Sequence, residues 1–551
     1  MTCKASHPES ARSLDFGVCE RGTWLDLRIS QPPLLFINCP SADTQGFLGA
    51  PTGLYYAVGP LIEAIRKREI RMPEISRSNF YDPQSDDELE KELTSKLLDV
   101  RPAIVGISQT SEAHHIALRM ATIIRAVCQD RALIVFGGPH EDEVSFRAKS
   151  PQHTLAKFPD LVDVVVSGDG EYALLQIVKV LSTHLGVPNF QKIRALLDRA
   201  DEFRAVEGRG AIFVKTKSEV CELSLSGEPV KLDHLPTLHY ELMERRHLYN
   251  YDVFKRPNGT IKKCAQLMSH RGCRSACVYC TERGSFSGKS VEKLISEIRV
   301  LRETQNIEAV FFDDSTFNED NDFVRKFCES IIAEEIHLWL EWGCLTRFDS
   351  INPDVVRVMK QAGCTYCYFG LEQYDTTTLR NIGKATSEST ILTALREMEK
   401  AEIRVGVSLL FGIGESWEVA QKTLGFVREW VERGTITVVS ISANCYHPNS
   451  AMTRRDKVIG RIDYSGEPPH AGHPWNCFEE GMWFHPDSFT EDYAWQVVRL
   501  VRSSLNPPVL VRQELIDCAL GKADSCAECL LLERCTSDPE CCARILQSSG
   551  R

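Results

Sequence analysis

The sequence predicts an α/β protein made of two successive units. A doubly wound parallel sheet comes first and a partial parallel barrel of six strand–helix units second, with a cysteine-rich region beyond them. Three observations carry the prediction. Short apolar runs alternate with amphipathic helical stretches in two separate series. Strands of the first series end in glycine-rich turns. Directly after the first strand of the second series, RGCRSACVYC (271–280) places three cysteines within eight residues.

Residues 1–30 show no clear periodicity and read as a tail, without the apolar core of a signal peptide. The first unit, 31–186, opens with the buried strand PPLLFINCP (32–40) and the helical stretch GLYYAVGPLIEAIRKREI (53–70). AIVGIS (103–108) is the next strand, followed by a helix with Ile116, Met120, Ile123 and Val127 on one face. ALIVFGGPH (132–140) and DVVVSGDGE (163–171) are strands running into glycine turns, where doubly wound sheets bind ligands. Residues 187–258, with the bend-prone LDHLPTLH, read as a linker containing some irregular strand.

The second series lies within 259–450. Its strands are AQLMSH (265–270), EAVFFDD (308–314), LWLEWGCLTR (338–347), YCYFGLE (366–372), RVGVSLLFG (404–412) and ITVVSISANC (436–445). Between the first two, Val291, Leu294, Ile295, Ile298 and Leu301 form an apolar stripe with Ser290 as its N-cap. Six such units suit a barrel whose chemistry sits at the carboxyl ends of its strands. Residues 451–551 are less regular.

A formal net charge of −12 argues against a nucleic-acid surface as the main binding face. No run of ~18 apolar residues occurs, so neither a membrane span nor a membrane partner is expected and the chain is placed in the cytoplasm. In a reducing compartment its 21 cysteines read as metal or catalytic sites where they cluster. Dispersed ones (Cys39, Cys128, Cys328, Cys344, Cys364) read as small buried hydrophobes.

Cys273, Cys277 and Cys280 supply three thiolates where a closed structural metal site takes four ligands. Three readings stand: zinc completed by His270, chance clustering of core cysteines, or an iron–sulfur cluster with one iron left open for catalysis. With Tyr279 just before the last cysteine, the stretch resembles the radical S-adenosylmethionine (SAM) superfamily. The resemblance implies that Cys273, Cys277 and Cys280 hold a 4Fe-4S cluster whose open iron chelates SAM, with Tyr279 against the adenine. It implies further SAM contacts along the rim of a TIM-type barrel. Asp313 and Asp314 of FFDDSTF, in place of the commoner Gly-Gly-Glu, would meet the methionine amino group. Arg347 of CLTR would meet the carboxylate and Glu372 of FGLEQ the ribose or sulfonium. Gly412 and Gly414 of FGIGES would pass close to the adenine.

PTGLYYA, AIVGIS, VFGGPH and VVVSGDGEYALL together resemble the Rossmann-like cobalamin-binding domain that precedes the barrel in one large radical SAM subgroup. The likeness covers about 30–450. It implies cobalamin contacts at Ser108, Gly137, Gly138, Gly168 and Gly170, glycine allowing close backbone approach. Asp-x-His-x-x-Gly is missing, so no histidine is marked for the lower face of cobalt. His114 and His115 read as solvent or capping residues, with lower-face coordination the lesser reading, and a sheet that has lost its ligand is a further one. The resemblance implies a C-methyltransferase acting on a small molecule or a natural-product or peptide intermediate. Reductive SAM cleavage would give a 5′-deoxyadenosyl radical, and methylcobalamin would supply the methyl group. An electron donor of flavodoxin or ferredoxin type would reduce the cluster. Ring formation or contraction, polar methylation and a non-catalytic cobalamin sensor are the alternatives. Cys526, Cys529, Cys535 and Cys541, beside Cys518 and Cys542, loosely resemble an auxiliary-cluster extension. A second iron–sulfur cluster, zinc and metal-free thiols all remain open there.

Overall fold

The computed structural model describes residues 33–39, 52–83, 88–110, 113–139, 141, 153–249, 251–280, 282, 286–444 and 450–451, with the elements 460–463, 483–486, 491–504 and 509–511. The first unit contains β1 (Leu34–Asn38), β2 (Phe80–Tyr81), β3 (Ile104–Ser108), β4 (Leu133–Gly137), β5 (Val164–Gly168), β6 (Gly210–Lys215) and β7 (Val220–Ser224). They form one sheet in the order β2-β1-β3-β4-β5-β6-β7. β1 to β5 pair in parallel, as their nearly unbroken apolar runs require once helices cover both faces. β6 and β7 join antiparallel. Part of the expected linker is therefore sheet: 210–224 extend the first unit, and the 3-10 turns between 232 and 254 carry the chain to the second.

Helices Thr52–Arg66 and Glu171–Leu181 cover one face of this sheet and Leu89–Val100 and His114–Cys128 the other. On His114–Cys128 the buried residues are Ile116, Ala117, Met120, Ala121 and Ile124. Ile123 and Val127 only flank that face, because the small alanines let the helix turn toward the sheet.

The second unit contains β8 (Cys264–Leu267), the two-stranded ribbon β9 (His270–Arg271) and β10 (Ser287–Gly288), then β11 (Ala309–Phe312), β12 (Glu341–Thr346), β13 (Cys364–Glu372), β14 (Arg404–Phe411) and β15 (Ile436–Ala443). A hairpin of β16 (Gly460–Asp463) and β17 (Trp483–Pro486) and the short β18 (Val509–Val511) follow. The main sheet runs β18-β15-β14-β13-β12-β11-β8, every pair parallel. All six expected strands are present, and β18 adds a seventh beside β15. Among the described residues the sheet stays open between β8 and β18, so the barrel is partial. Ser290 caps the helix Val291–Gln305 by accepting from the Lys293 N–H at 3.2 Å, and the predicted stripe is its buried face.

Outward side chains of this sheet join a core that runs on beneath the first unit. Inward ones fill only the lower half, where Tyr251, Val253, Phe254, Cys264, Ala309, Phe311, Tyr366 and Val438 pack together. Above them Leu345, Tyr368, Ser408, Leu410 and Ser442 are half-buried and Asp313 is exposed, although each points into the sheet's concave side. Inward residues that keep solvent contact mark a chamber at the carboxyl ends of the strands, where barrels of this type carry their chemistry. No helix among the described residues is long and apolar enough to cross a membrane.

Candidate active site

The cysteine loop hangs from the end of β8. Asp314, buried after β11, accepts from the N–H groups of Ser269 (2.7 Å) and His270 (2.9 Å) and from the Ser269 hydroxyl (2.5 Å). The His270 ring is committed at both nitrogens, Nε2 donating to the Thr316 carbonyl (2.6 Å) and Nδ1 contacting Ser269 Oγ (2.8 Å). That leaves no ring nitrogen for a metal, which removes the zinc reading built on His270. Asp314→Ala would strand three buried donors, so a loss of about 3 kcal/mol or more in denaturant unfolding is expected, with poor iron uptake.

Cys273 and Cys277 are 8% and 6% exposed and Cys280 is half-buried, a pocketed set rather than a surface cluster. The Cys273 thiol donates to Glu319 at 3.2 Å and accepts from Ser275 N–H at 3.4 Å. Burial pushes the Cys273 thiol up, and it pushes Cys280 up to about 11. Metal ions reverse this preference by binding the thiolate.

Arg347 follows β12 and donates one Nη–H to Cys277 Sγ at 3.3 Å. Its other edge forms a fork with Asp349 (2.9 and 2.8 Å), which fixes the guanidinium plane against the loop. Glu372 ends β13 at a bulge, with φ of +60°. There it accepts from the Tyr279 hydroxyl (2.9 Å) and from buried Lys384 (2.8 Å). Strained backbone of this kind survives only where its surroundings hold it in place. The Val278 N–H donates to the Ile382 carbonyl at 2.9 Å, so the segment that supplies Lys384 also braces the loop. Asp313 is accessible to solvent, yet desolvation first, then the charge of Asp314, lift its carboxyl to about 7. The two observations agree if Asp313 lines the chamber, wet but walled by protein. Asp314 is saturated by its own hydrogen bonds, whereas Asp313 keeps solvent contact beside Gln266.

Gly412 and Gly414 belong to a turn tied by Glu415, whose carboxylate accepts from the N–H groups of Gly412 (2.7 Å) and Ile413 (2.8 Å). Tyr493, on the helix Glu491–Ser504, donates to the same carboxylate at 2.6 Å. Neither Glu415 nor Tyr493 has a local signal beyond a polar residue after a glycine turn.

On the first sheet, Asn38, Ser108 and Gly137 lie in register at the carboxyl rim. Gly138 (φ +96°) adjoins them, and a Cβ there would lie 2.5 Å from the Gln109 carbonyl oxygen. Gly170 precedes the helix Glu171–Leu181, and a Cβ there would meet the Ala57 Cβ at 3.8 Å, an ordinary contact. Gly168 has a reason of its own: at φ +92° its Cβ would lie 2.0 Å from the Arg209 carbonyl oxygen, so the approach of β6 already demands glycine. Gly168→Ala is expected to cost more than about 2 kcal/mol in the cofactor-free protein. Hydrogen exchange would rise first along β5 and β6. His114 contacts Gln109 Oε1 at 3.0 Å, and Gln109 in turn donates to buried Glu141 at 2.7 Å.

Several buried acceptors have no partner among the described residues: Thr110 Oγ1 after β3, Glu171 Oε2 after β5, and Gln266 Oε1 on β8. Native interiors seldom leave such atoms unsatisfied, so polar-rich ligands at the two rims fit the residues present. Three thiols on one loop likewise suit an iron–sulfur cluster. Cys526, Cys529, Cys535 and Cys541 lie outside the described residues.

The radical SAM superfamily profile matches residues 267–427, from the end of β8 into the helix after β14. An uncharacterized methyltransferase of Pyrococcus horikoshii is 25% identical over 394 residues, covering 70% of this chain and 74% of that protein. An anaerobic magnesium-protoporphyrin IX monomethyl ester cyclase of a Synechocystis strain is 24% identical over 360 residues, 64% of this chain and 62% of its own length. The radical SAM methyltransferase TsrM of Kitasatospora setae, solved with cobalamin and a 4Fe-4S cluster, superposes with a TM-score of 0.59 at 15% identity. That superposition covers 87% of this chain and 91% of TsrM. The matched domain spans the cysteine loop and the chamber, so the chain carries a radical SAM domain, and its two sheets share the fold of TsrM.

Proposed function

We propose that the chain is a cobalamin-dependent radical SAM methyltransferase that methylates carbon on a small molecule or a natural-product or peptide intermediate. The observation that carries this reading is the position of the three-cysteine loop. It stands at the barrel rim and is docked through Arg271 onto Glu171, at the carboxyl end of the first sheet. Two ligand seats thereby adjoin. When bound, the cluster and SAM supply a strong one-electron cleavage and cobalamin a methyl donor.

Cys273, Cys277 and Cys280 hold the cluster, with Arg347 beside Cys277 offsetting negative charge. Asp313 takes the ammonium of SAM, Tyr279 and Glu372 its nucleoside side, and the Gly412–Gly414 turn the adenine edge. Ser108, Gly137, Gly138 and Gly170 line the cobalamin seat; Gly168 shapes it through strand pairing. The walls of the chamber exclude water from the reacting groups. A low-potential electron carrier of the reducing cytoplasm supplies the electron.

The test is anaerobically reconstituted enzyme with methyl-labelled SAM and a metabolite extract, read by mass spectrometry. A product heavier by one labelled methyl supports the reading. The likeness to the cyclase favours ring formation as the second reading, and a product lighter by hydrogen without added methyl would select it. Cobalamin bound with neither SAM cleavage nor methylation would turn the assignment to a sensor.

A further inference from the structure

The segment just before the cysteines is held from the first unit at two independent points. Arg271 lies two residues ahead of Cys273. Its guanidinium pairs with Glu171 Oε1 through Nη2 and stands 3.7 Å from Asp169 Oδ1 through Nη1, while Nε contacts Met268 Sδ at 3.4 Å. Both carboxylates come from the SGDGE turn after β5. Glu171 sits in the first turn of the helix Glu171–Leu181, where the helix dipole favours an acidic side chain. Asp169 also accepts from the Arg209 N–H at 2.9 Å, which ties it to β6. The second point is Tyr56 of helix Thr52–Arg66. Its hydroxyl accepts from the Met268 N–H and from Lys289 Nζ, each at 3.3 Å. Lys289 is fully buried and paired with Glu297 at 2.7 Å.

We infer that Arg271 is a positioning residue: clamped by Asp169 and Glu171, it makes the cysteine loop and the ligand rim of the first sheet one mechanical unit. Binding at either seat is thereby coupled to order at the other. A guanidinium suits this role because its rigid fork can meet two carboxylates in a fixed plane, which an ammonium cannot do. Residues 268–271 lead straight into the cysteine loop, so any slack in the clamp appears directly as slack in the loop. The inference rests on the functional reading above for the identity of the two ligands, though not for the clamp itself.

The decisive measurement is hydroxocobalamin affinity by equilibrium dialysis on full-length protein, with and without the reconstituted cluster. In the wild type, cluster loading is expected to tighten cobalamin binding by about fivefold or more, the lower end of typical coupling between sites. Glu171→Gln and Arg271→Met should reduce that ratio to about one while cobalamin still binds, and Arg271→Lys, which keeps the charge and loses the fork, should fall between. A merely structural role would weaken both affinities and leave their ratio intact. A wild-type ratio in Glu171→Gln at full iron content overturns the inference, and so does a wild-type ratio of one. Absence of any cobalamin binding by the wild type would instead sink the functional reading. The clamp is then judged by amide exchange of 268–272 in the cofactor-free protein: about tenfold faster exchange in Glu171→Gln supports it and unchanged exchange refutes it. The same measurement decides for any variant that fails to load iron.

Discussion

Cys273, Cys277 and Cys280 replaced together by Ala should leave a protein without the broad absorbance near ~400 nm of thiolate-bound clusters, and with less than about a tenth of the wild-type iron. SAM cleavage should fall to background. The expectation is this large because the other described cysteines cannot substitute. Cys39, Cys128 and Cys221 belong to the first unit, Cys264 is sealed in the apolar cluster at the base of the barrel, and Cys328, Cys344, Cys364 and Cys367 are packed in the wall outside the barrel sheet. Cys344 and Cys364 each lie 3.9 Å from Cys367, a contact between thiols in an apolar setting where burial pushes Cys344 and Cys364 up and the hydrogen bond with Cys344 raises Cys367. Folding should survive, since the loop's anchor is Asp314 on Ser269 and His270 rather than a cysteine. Iron and absorbance measured together check the result. Half or more of the absorbance persisting would assign the cluster to the cysteines between 518 and 542.

What the sequence revealed follows from the range of the interactions concerned. Cys-x3-Cys-x2-Cys is readable because its chemistry is local, and so is the Ser290 cap, with donor and acceptor three residues apart. Buried parallel strands announce themselves as apolar runs. β7 does not: VCELS has one buried residue and two exposed ones, and at the edge of a sheet it passes for linker. β18 has three residues and pairs with β15 across a long separation, which no periodicity signals. The same limit applies inside the site. Arg271 and Glu171 are 100 residues apart and Tyr493 and Glu415 are 78 apart, so each side chain alone reads as an ordinary surface charge or aromatic. Asp313 and Asp314 are adjacent and chemically identical. Only the fold separates them, turning Asp314 back onto β8 and Asp313 into the chamber.

That separation yields the second large effect. Asp313→Asn is expected to weaken binding of a non-cleavable SAM analogue by about 10- to 100-fold near pH ~8, the worth of a charge-assisted hydrogen bond. It should also flatten the pH dependence. Desolvation, then the Asp314 charge, raises Asp313 to about 7, with a Gln266 hydrogen bond opposing them. The neutral acid attracts an ammonium weakly, so wild-type affinity should climb through pH ~7 and level off above it, falling up to about tenfold per unit below. In the Asn variant that slope should vanish. Stability must run the other way. A carboxyl raised in the folded state binds its proton more tightly there than in the unfolded chain, so folding loses stability as pH rises from the ordinary carboxylate range through ~7. Asn carries no such penalty, so the variant should be more stable than wild type above neutrality while binding SAM worse. A cost in stability kept for a ligand is the signature of a binding group. Calorimetric titration and thermal unfolding across the same pH range test both halves. Unchanged affinity in Asp313→Asn would move the ammonium contact to another residue, and lower stability at high pH would contradict the desolvation of this carboxyl.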